Sequence, residues 1–587
     1  MTKKLVQPTA LSIESGVSDS PRDLAWTHVN IPCQSACPAG TDIPGYIEAL
    51  SQGDYGLAHA INFRDNVFPG VLGRVCSRPC EGACRHGRSG LGDSVAICSL
   101  KRVSSDFTAS DEHGFDVQPP TGKTVAIVGG GVAGLAAARD LAALGHRIVV
   151  FDKHERPGGM LVQGIPTFRL PREVIDRDVE RVLALGIEIH CGVSVGEDVL
   201  LEELVASYDA VVLATGTLAG RALDIEGEEL RGTEHGLEFL LSVNERQRRD
   251  LGKKSVVIGG GYTAMDCART ALRLGSQTTV YYRRGAENMV VLPGEVEELV
   301  REGGGIQYFK SPERIRGDDQ VQAISFASTD MPLTDAEREL IDVDADQVIL
   351  AIGQSPDTSW MSEPFSQQLL NHDQSIRSSD GFRTEHENIF IAGDFSTGAT
   401  TLIDAIAHAR NAAREVNKFL SVDAHDQKNS ISIGSRKFAR DFDDRTFVRN
   451  NAMNIIPIVP VPVVDVSTRD LMNEVETGFD QSVAQEQAER CYLCHYKFEI
   501  DNQKCVLCDE CMKIKPNDDC ILPIVGFDEP TSASALPSPV RLVTGENDSL
   551  YYNRLWIDQD KCTRCGQCES VCPVDAISIQ KVSFIKV

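Results

Sequence analysis

Residues 124–152 read TVAIVGGGVAGLAAARDLAALGHRIVVFD. A β-branched run enters a glycine-rich turn, an alanine-rich stretch of helical period follows, and a second apolar run closes on an acid: strand, turn, helix, strand. Gly129, Gly131 and Gly134 keep the G-x-G-x-x-G spacing. That spacing permits a tight turn, close approach of a pyrophosphate to the backbone, and its seating on a helix N-terminus, with Asp152 placed to accept from a ribose hydroxyl. The bare alternative is a glycine-rich turn without a ligand, against which the ordered strand, helix and acid argue.

The same order recurs at 254–284, KSVVIGGGYTAMDCARTALRLGSQTTVYYRR. Here Gly259 and Gly261 are kept, the third glycine is Ala264, and the strand ends in Arg283 and Arg284 where an acid would be expected. Arginines there can hold a 2′-phosphate that an aspartate would repel, which points to NADPH; a solvated arginine pair on a turn would leave NADH. NIFIAGDFSTGATTLIDAIAHARNAA (388–413) reads as a last strand, turn and helix that rejoin the first unit. The second unit is therefore inserted in the first, one for FAD and one for a nicotinamide nucleotide.

With 587 residues the chain is long enough for roughly three to five domains. A net charge of −27 disfavours nucleic acid and anionic membranes and leaves a protein partner open. The start, MTKKLVQPTALSIESG, lacks the apolar run of a secretory signal, so a cytoplasmic location is expected. NIIPIVPVPVVDV (454–466) is too short and too proline-rich to span a bilayer and reads as an extended connector.

Eighteen cysteines without a signal peptide argue for metal ligation rather than disulfides. KCTRCGQCESVCP (561–573) gives Cys562, Cys565, Cys568 and Cys572 in the C-x-x-C-x-x-C-x-x-x-C-P run of bacterial ferredoxins. Cys505, Cys508 and Cys511 repeat the three-cysteine core, with Cys520 as a delayed fourth. Since the fourth cysteine of such runs serves the other cluster, the expected sets are Cys505, Cys508, Cys511 with Cys572, and Cys562, Cys565, Cys568 with Cys520. GRVCSRPCEGAC (73–84) supplies Cys76, Cys80 and Cys84, which need a fourth ligand. Between 99 and 490 only Cys191 and Cys267 occur, in no C-x-x-C or C-x-x-x-x-C pair, so electrons cannot leave a flavin through a redox-active disulfide; both read as packing residues.

GGGVAGLAAARDLAALGH, PGGMLVQGIPTFRLP (157–171), ATG at 214–216, AIGQSP at 351–356 and IAGD at 391–394 resemble the small subunit of glutamate synthase and its relatives over about residues 31–420. The resemblance implies FAD on the first unit, with roles for Gly159, Thr215, Gly393, Asp394 and Thr401, NADPH on the inserted unit, and Cys37 as the ligand that joins Cys76, Cys80 and Cys84. In that family a second N-terminal cluster uses an upstream R-C-x-x-C, which is missing here. AERCYLC (488–494) resembles it, and Cys33 and Cys98 are left over. The expectation is a cluster of Cys33, Cys98, Cys491 and Cys494, four [4Fe-4S] clusters in all; the alternative leaves Cys33 and Cys98 as buried thiols and the pair empty or on zinc with His495.

The expected plan is α/β: two doubly wound nucleotide-binding domains, with a helical iron–sulfur domain before them and an α+β ferredoxin-like domain after. The expected bounds are 1–110 (beginning with a polar arm over 1–30), 111–226 with 346–420 for FAD, 227–345 for NAD(P)H, a linker over 421–490, and 491–587 with a loop at DEPTSASALPSPV. The implied activity is NAD(P)H:acceptor oxidoreduction through FAD and iron–sulfur clusters, with a redox protein as partner in a homodimer or hetero-oligomer. The added tail is similar in layout to the flavoprotein associated with dissimilatory sulfite reductase and to electron-input subunits of some formate dehydrogenases and aldehyde oxidoreductases. A glutamate synthase subunit and a non-catalytic iron–sulfur scaffold are the competing readings.

Overall fold

The computed structural model describes residues 5–6, 30–88, 92–108, 116–245, 251–330, 340–372, 375–378, 380–421, 430–435, 456–528, 539–540, 542–544 and 549–585. Most of the polar arm and the inside of the 528–540 loop lie outside them.

The quoted stretch forms strand Thr124–Val128, helix Val132–Ala143 and strand Arg147–Asp152. Its sheet is five-stranded and parallel, ordered Ile389–Ile391, Ala210–Leu213, Thr124–Val128, Arg147–Asp152, Glu188–Cys191. Buried on both faces, the inner strands are continuous β-branched and aliphatic runs rather than alternating ones. The final strand and helix Leu402–Leu420 do rejoin this sheet, and that helix packs along Val132–Ala143, with Ile406, Ala409 and Ala412 in the shared core.

The inserted unit builds a second parallel sheet, Gly305–Tyr308, Gln277–Tyr282, Lys254–Ile258, Gln347–Leu350, Thr233–His235. It ends later than the expected residue 345: Val348, Ile349 and Leu350 are buried between two neighbours of this sheet and cannot belong to the first. Chain leaves and returns side by side, Ala219–Gly220 pairing antiparallel with Gln354–Ser355.

The N-terminal domain is helical, as expected. Asp42 and Asp54 cap its helices Ile43–Ser51 and Tyr55–Asn66 by accepting from the N–H groups of Gly45 and Leu57 at 3.1 and 2.9 Å. Helices Pro69–Val75 and Ile97–Asp106 cross at Gly73, where a Cβ would stand 2.5 Å from Arg102 Cα. This contact brings the end of one helix beside the start of the other.

The 421–490 stretch is more than a linker. Strand Ser430–Ser435 pairs with Ile577–Ile585, which also pairs with Tyr496–Ile500, and helix Gln481–Ala488 packs on the N-terminal domain. Between them 456–480 is an extended strap: Val475 N–H donates to Phe168 O, Glu474 pairs with Arg74 and Arg102, and Arg469 pairs with Glu298 and Glu302 of the inserted unit. The strap thus touches three domains. No described helix is long and apolar enough to cross a membrane.

Candidate functional site

A cavity of about 1340 Å³ runs between the two doubly wound units. Gly129, Gly131, Asp152, Gly159, Thr215, Asp394 and Thr401 line it on one side, and Gly259, Gly261, Arg283 and Arg284 on the other. Gly134, Ala264 and Gly393 stand behind the turns and shape them. A Cβ at Gly134 would sit 1.9 Å from Gly129 O, so only glycine lets the helix lie on the turn. Gly393, at φ 64°, reverses the chain so that Asp394 faces the cavity while its own N–H donates to His408 Nδ1 at 3.0 Å.

Asp152, expected at a ribose, is held by the backbone of its own turns. Its Oδ2 accepts from Gly130 N–H at 2.6 Å and its Oδ1 from His154 N–H at 2.8 Å, which holds the glycine turn open toward the cavity. Thr215 Oγ1 is buried with no hydrogen-bond partner among the described residues, an orphan that a bound dinucleotide would satisfy. With the N-terminus of Val132–Ala143 directed at the same space, these residues fit FAD. Across the cavity, Arg283 and Arg284 are exposed and their guanidinium groups meet no carboxylate among the described residues.

All eighteen cysteines are free. Cys191 is half-buried on an edge strand and Cys267 is buried with its thiol directed to Gly236 O, so both serve packing. The others gather in four groups. Cys505, Cys508, Cys511 and Cys572 influence one another electrostatically, as do Cys520, Cys562, Cys565 and Cys568. These are the crossed sets expected from the spacing.

The two N-terminal groups differ from expectation by an exchange. Cys98 lies within hydrogen-bonding reach of Cys76 and Cys80, with Cys37 alongside, whereas Cys84 neighbours Cys33, Cys491 and Cys494. The cause is local. The Gly73 crossing puts Cys76 beside Cys98, whose N–H donates to Glu81 Oε1 at 2.9 Å, and the helix Pro79–Gly82 ends before Cys84, which turns away. Burial first, then the sulfurs of Cys494, Cys491 and Cys84, pushes the Cys33 thiol up; burial likewise pushes Cys520 up to about 12. Thiols packed this way stay protonated unless a metal centre takes the protons' place.

Two features fit iron–sulfur clusters in particular. Leu493, Leu507 and Arg564 occupy the same third position of three C-x-x-C turns and share a left-handed conformation, at φ 49°, 54° and 56°. The turn aims Leu493 N–H at Cys491 Sγ and Arg564 N–H at Cys562 Sγ, both at 3.4 Å. Cys491 and Cys494 thus adopt the ferredoxin turn although they stand outside the ferredoxin runs. Second, Lys101 is 2% exposed, has no carboxylate partner among the described residues, and faces Cys98, Cys76, Cys37 and Cys80. A buried ammonium requires an anion, and four thiolates around a cluster are one. Its position three residues after Cys98 on one helix was a signal available in the sequence. Among the described residues no three His, Cys, Asp or Glu side chains converge as a single ion requires, and His495 turns to Glu48 at 3.2 Å.

The family described as pyridine nucleotide-disulphide oxidoreductase matches residues 123–415, dihydropyrimidine dehydrogenase domain II with a 4Fe-4S cluster matches 14–113, and a 4Fe-4S binding domain matches 555–578. The glutamate synthase [NADPH] small chain of Escherichia coli K12 is 34% identical over 424 residues, 66% of this chain and 89% of that one. This chain belongs to the glutamate synthase small-chain family. Within the family, the NADPH-Fe(3+) oxidoreductase subunit beta of Geobacter sulfurreducens is 31% identical, covering 79% of this chain and 75% of that one. The NADP(+)-dependent formate dehydrogenase subunit beta of Moorella thermoacetica is also 31% identical, covering 80% and 71%. Among solved structures, Mycobacterium tuberculosis FprA in complex with NADPH aligns at a TM-score of 0.45 with 21% identity, over 52% of this chain and 85% of that one. As a member of the small-chain family the protein is an FAD-dependent NAD(P)H oxidoreductase with 4Fe-4S domains at both ends.

Proposed function

We propose that the protein draws on NADPH at its inserted domain and passes electrons through four [4Fe-4S] sites to a redox protein that docks on the Cys505–Cys511 end. The observation that carries this is continuity: Val75 and Ser77, which flank Cys76, line the same cavity as the glycine turns, so the first cysteine group adjoins the nucleotide site. FAD held by the glycine turns would supply hydride exchange with the nicotinamide, and clusters held by the cysteine groups would supply single-electron transfer.

The residues supply the order. Tyr46 is buried between Cys80 and Cys98 of the first group and Cys33 of the second, its hydroxyl donating to Ile97 O at 2.8 Å. Cys494 of the second group is within electrostatic reach of Cys562 in the third, and Cys568 of the third is within reach of Cys511 in the fourth. Cys508, in the fourth, is exposed. Arg169 bridges Asp266 at 2.8 Å and Glu295 at 2.5 Å, which ties the flavin side of the cavity to the inserted domain. For the nucleotide, Arg283 and Arg284, which meet no carboxylate among the described residues, favour a 2′-phosphate, and the relatives are named for NADPH or NADP(+).

Anaerobic titration with NADPH and NADH, with iron analysis and dye reduction, tests this reading. The expected result is flavin bleaching by NADPH, iron for four cubanes, and transfer to a one-electron dye. Protein with no flavin or iron for fewer than four cubanes overturns it. On layout, dissimilatory sulfite reductase is the acceptor to try first; glutamine-dependent NADPH oxidation with a glutaminase-bearing subunit would instead assign glutamate synthesis.

A further inference from the structure

Two guanidinium groups meet where the N-terminal and C-terminal domains join. Arg85, 5% exposed, follows Cys84 and reaches across: its Nη1 donates to Cys494 Sγ at 3.7 Å and to Gln559 O at 2.7 Å, and its Nη2 pairs with Asp560 at 3.1 Å. From the other side Arg564, also 5% exposed, donates from Nε to Tyr496 O at 3.2 Å and, through its own N–H, to Cys562 Sγ at 3.4 Å. Arg564 Nη2 is buried with no hydrogen-bond partner among the described residues.

We propose that Arg85 is a positioning residue that raises the reduction potential of the cluster held by Cys33, Cys84, Cys491 and Cys494 and fixes its junction with the one held by Cys520, Cys562, Cys565 and Cys568. The inference rests on the four-site reading above.

The argument is one of charge. Two buried cations in one interface repel. The nearby carboxylate, Asp560, has a side chain 57% exposed and offsets only part of that charge. The sulfurs of Cys494 and Cys562 lie within reach of this pair and, as cluster ligands, would add negative charge to it. A cluster with four thiolates is anionic and becomes more so on reduction, so a guanidinium donating to its sulfur favours the reduced level. The same Nη1 of Arg85 donates to a ligand of one site and to the carbonyl of Gln559, three residues before Cys562 of the next. In the transfer, one electron leaves the first site, which is oxidised, and enters the second, which is reduced; no atom is exchanged.

The test uses the anaerobically purified full chain with its clusters, as wild type, Arg85→Gln and Arg85→Lys, in potentiometric titrations read by EPR. Arg85→Gln is expected to keep the wild-type iron content and its rate of flavin reduction by NADPH, while one cluster signal shifts to lower potential; Arg85→Lys restores most of the shift. Unmoved potentials at full iron content, or an equal shift in both variants, would overturn the proposal. Should Arg85→Gln lose iron, Asp560→Asn decides, because removing the offsetting carboxylate unmasks the guanidinium: an upward shift supports the proposal and none refutes it. Wild-type iron for fewer than four cubanes would instead refute the four-site reading itself.

Discussion

The two ends of the molecule both gather cysteines in two groups, but they do so in opposite surroundings. Cys33, Cys37, Cys76, Cys80, Cys84 and Cys98 are all buried, inside a helical domain packed against the flavin-binding sheet. At the other end Cys505, Cys565 and Cys572 are half-buried, Cys508 is exposed, and Val506 beside it is 59% exposed. Burial insulates a site from wrong donors and acceptors; exposure shortens the path to a partner. The difference therefore gives the chain of sites an inside and an outside. Breaking an inner link should stop everything beyond it. Cys494→Ala is expected to remove one cubane's iron and to cut acceptor reduction by more than ~100-fold, beyond the range of an outer-shell loss, while NADPH still bleaches the flavin. Stopped-flow reduction beside acceptor turnover reads both halves; full acceptor turnover in iron-depleted variant would show that the inner sites are not in series with the tail.

The entrance and the exit sharpen the contrast from either side. Replacing Arg283 and Arg284 together by glutamine removes two charge-assisted contacts, so KM for NADPH should rise by about 10- to 100-fold, on the order of 1.5–3 kcal/mol, with KM for NADH nearly unchanged. If both cofactors respond alike, the arginines do not read the 2′-phosphate. At the exit, Val506→Asp places a charge on the exposed apolar rim of the fourth site. Protein-acceptor reduction should weaken by about tenfold, about 1.4 kcal/mol, while a small dye is reduced as before. A loss with the dye as well would mean that the site itself was damaged.

The same contrast explains what could be read in advance. The doubly wound units were legible because their glycines, strands and helix follow each other within about thirty residues of chain, where local spacing and three-dimensional geometry coincide. The grouping of Cys505, Cys508, Cys511 and Cys572, and of Cys520, Cys562, Cys565 and Cys568, follows the short-range spacing in the same way. The grouping of Cys84 and Cys98 does not: their partners depend on a helix crossing at Gly73 and on a helix that stops at Gly82, neither of which is encoded in cysteine spacing. Val348, Ile349 and Leu350 were assigned to the wrong sheet because a buried parallel strand looks alike in either. The strap was hidden too, since Arg469 and Glu474 find their partners some 170 and 400 residues away.

Glu48 holds the two ends together, and its predicted effect is on docking and not on turnover. It stands on helix Ile43–Ser51 of the N-terminal domain, and its carboxylate accepts from Lys581 Nζ at 2.6 Å and Tyr496 OH at 2.5 Å and meets His495 Nε2 at 3.2 Å, all from the C-terminal domain. Burial raises this acid, but the bonds to His495, Lys581 and Tyr496 outweigh it and hold the group at about 2. A depressed carboxyl contributes its full share above its free value, about 4.3, and loses it only as pH falls toward 2. Docking of the C-terminal domain should therefore be flat between pH 8 and 5, judged by amide exchange in Tyr496–Ile500 and Ile577–Ile585. Glu48→Gln keeps the shape and removes the charge, so exchange there should quicken at neutral pH, by at most about 3 kcal/mol of local opening energy, the value of two pKa units. Wild-type exchange that already quickens between pH 7 and 5 would assign the junction to a group that titrates higher than Glu48.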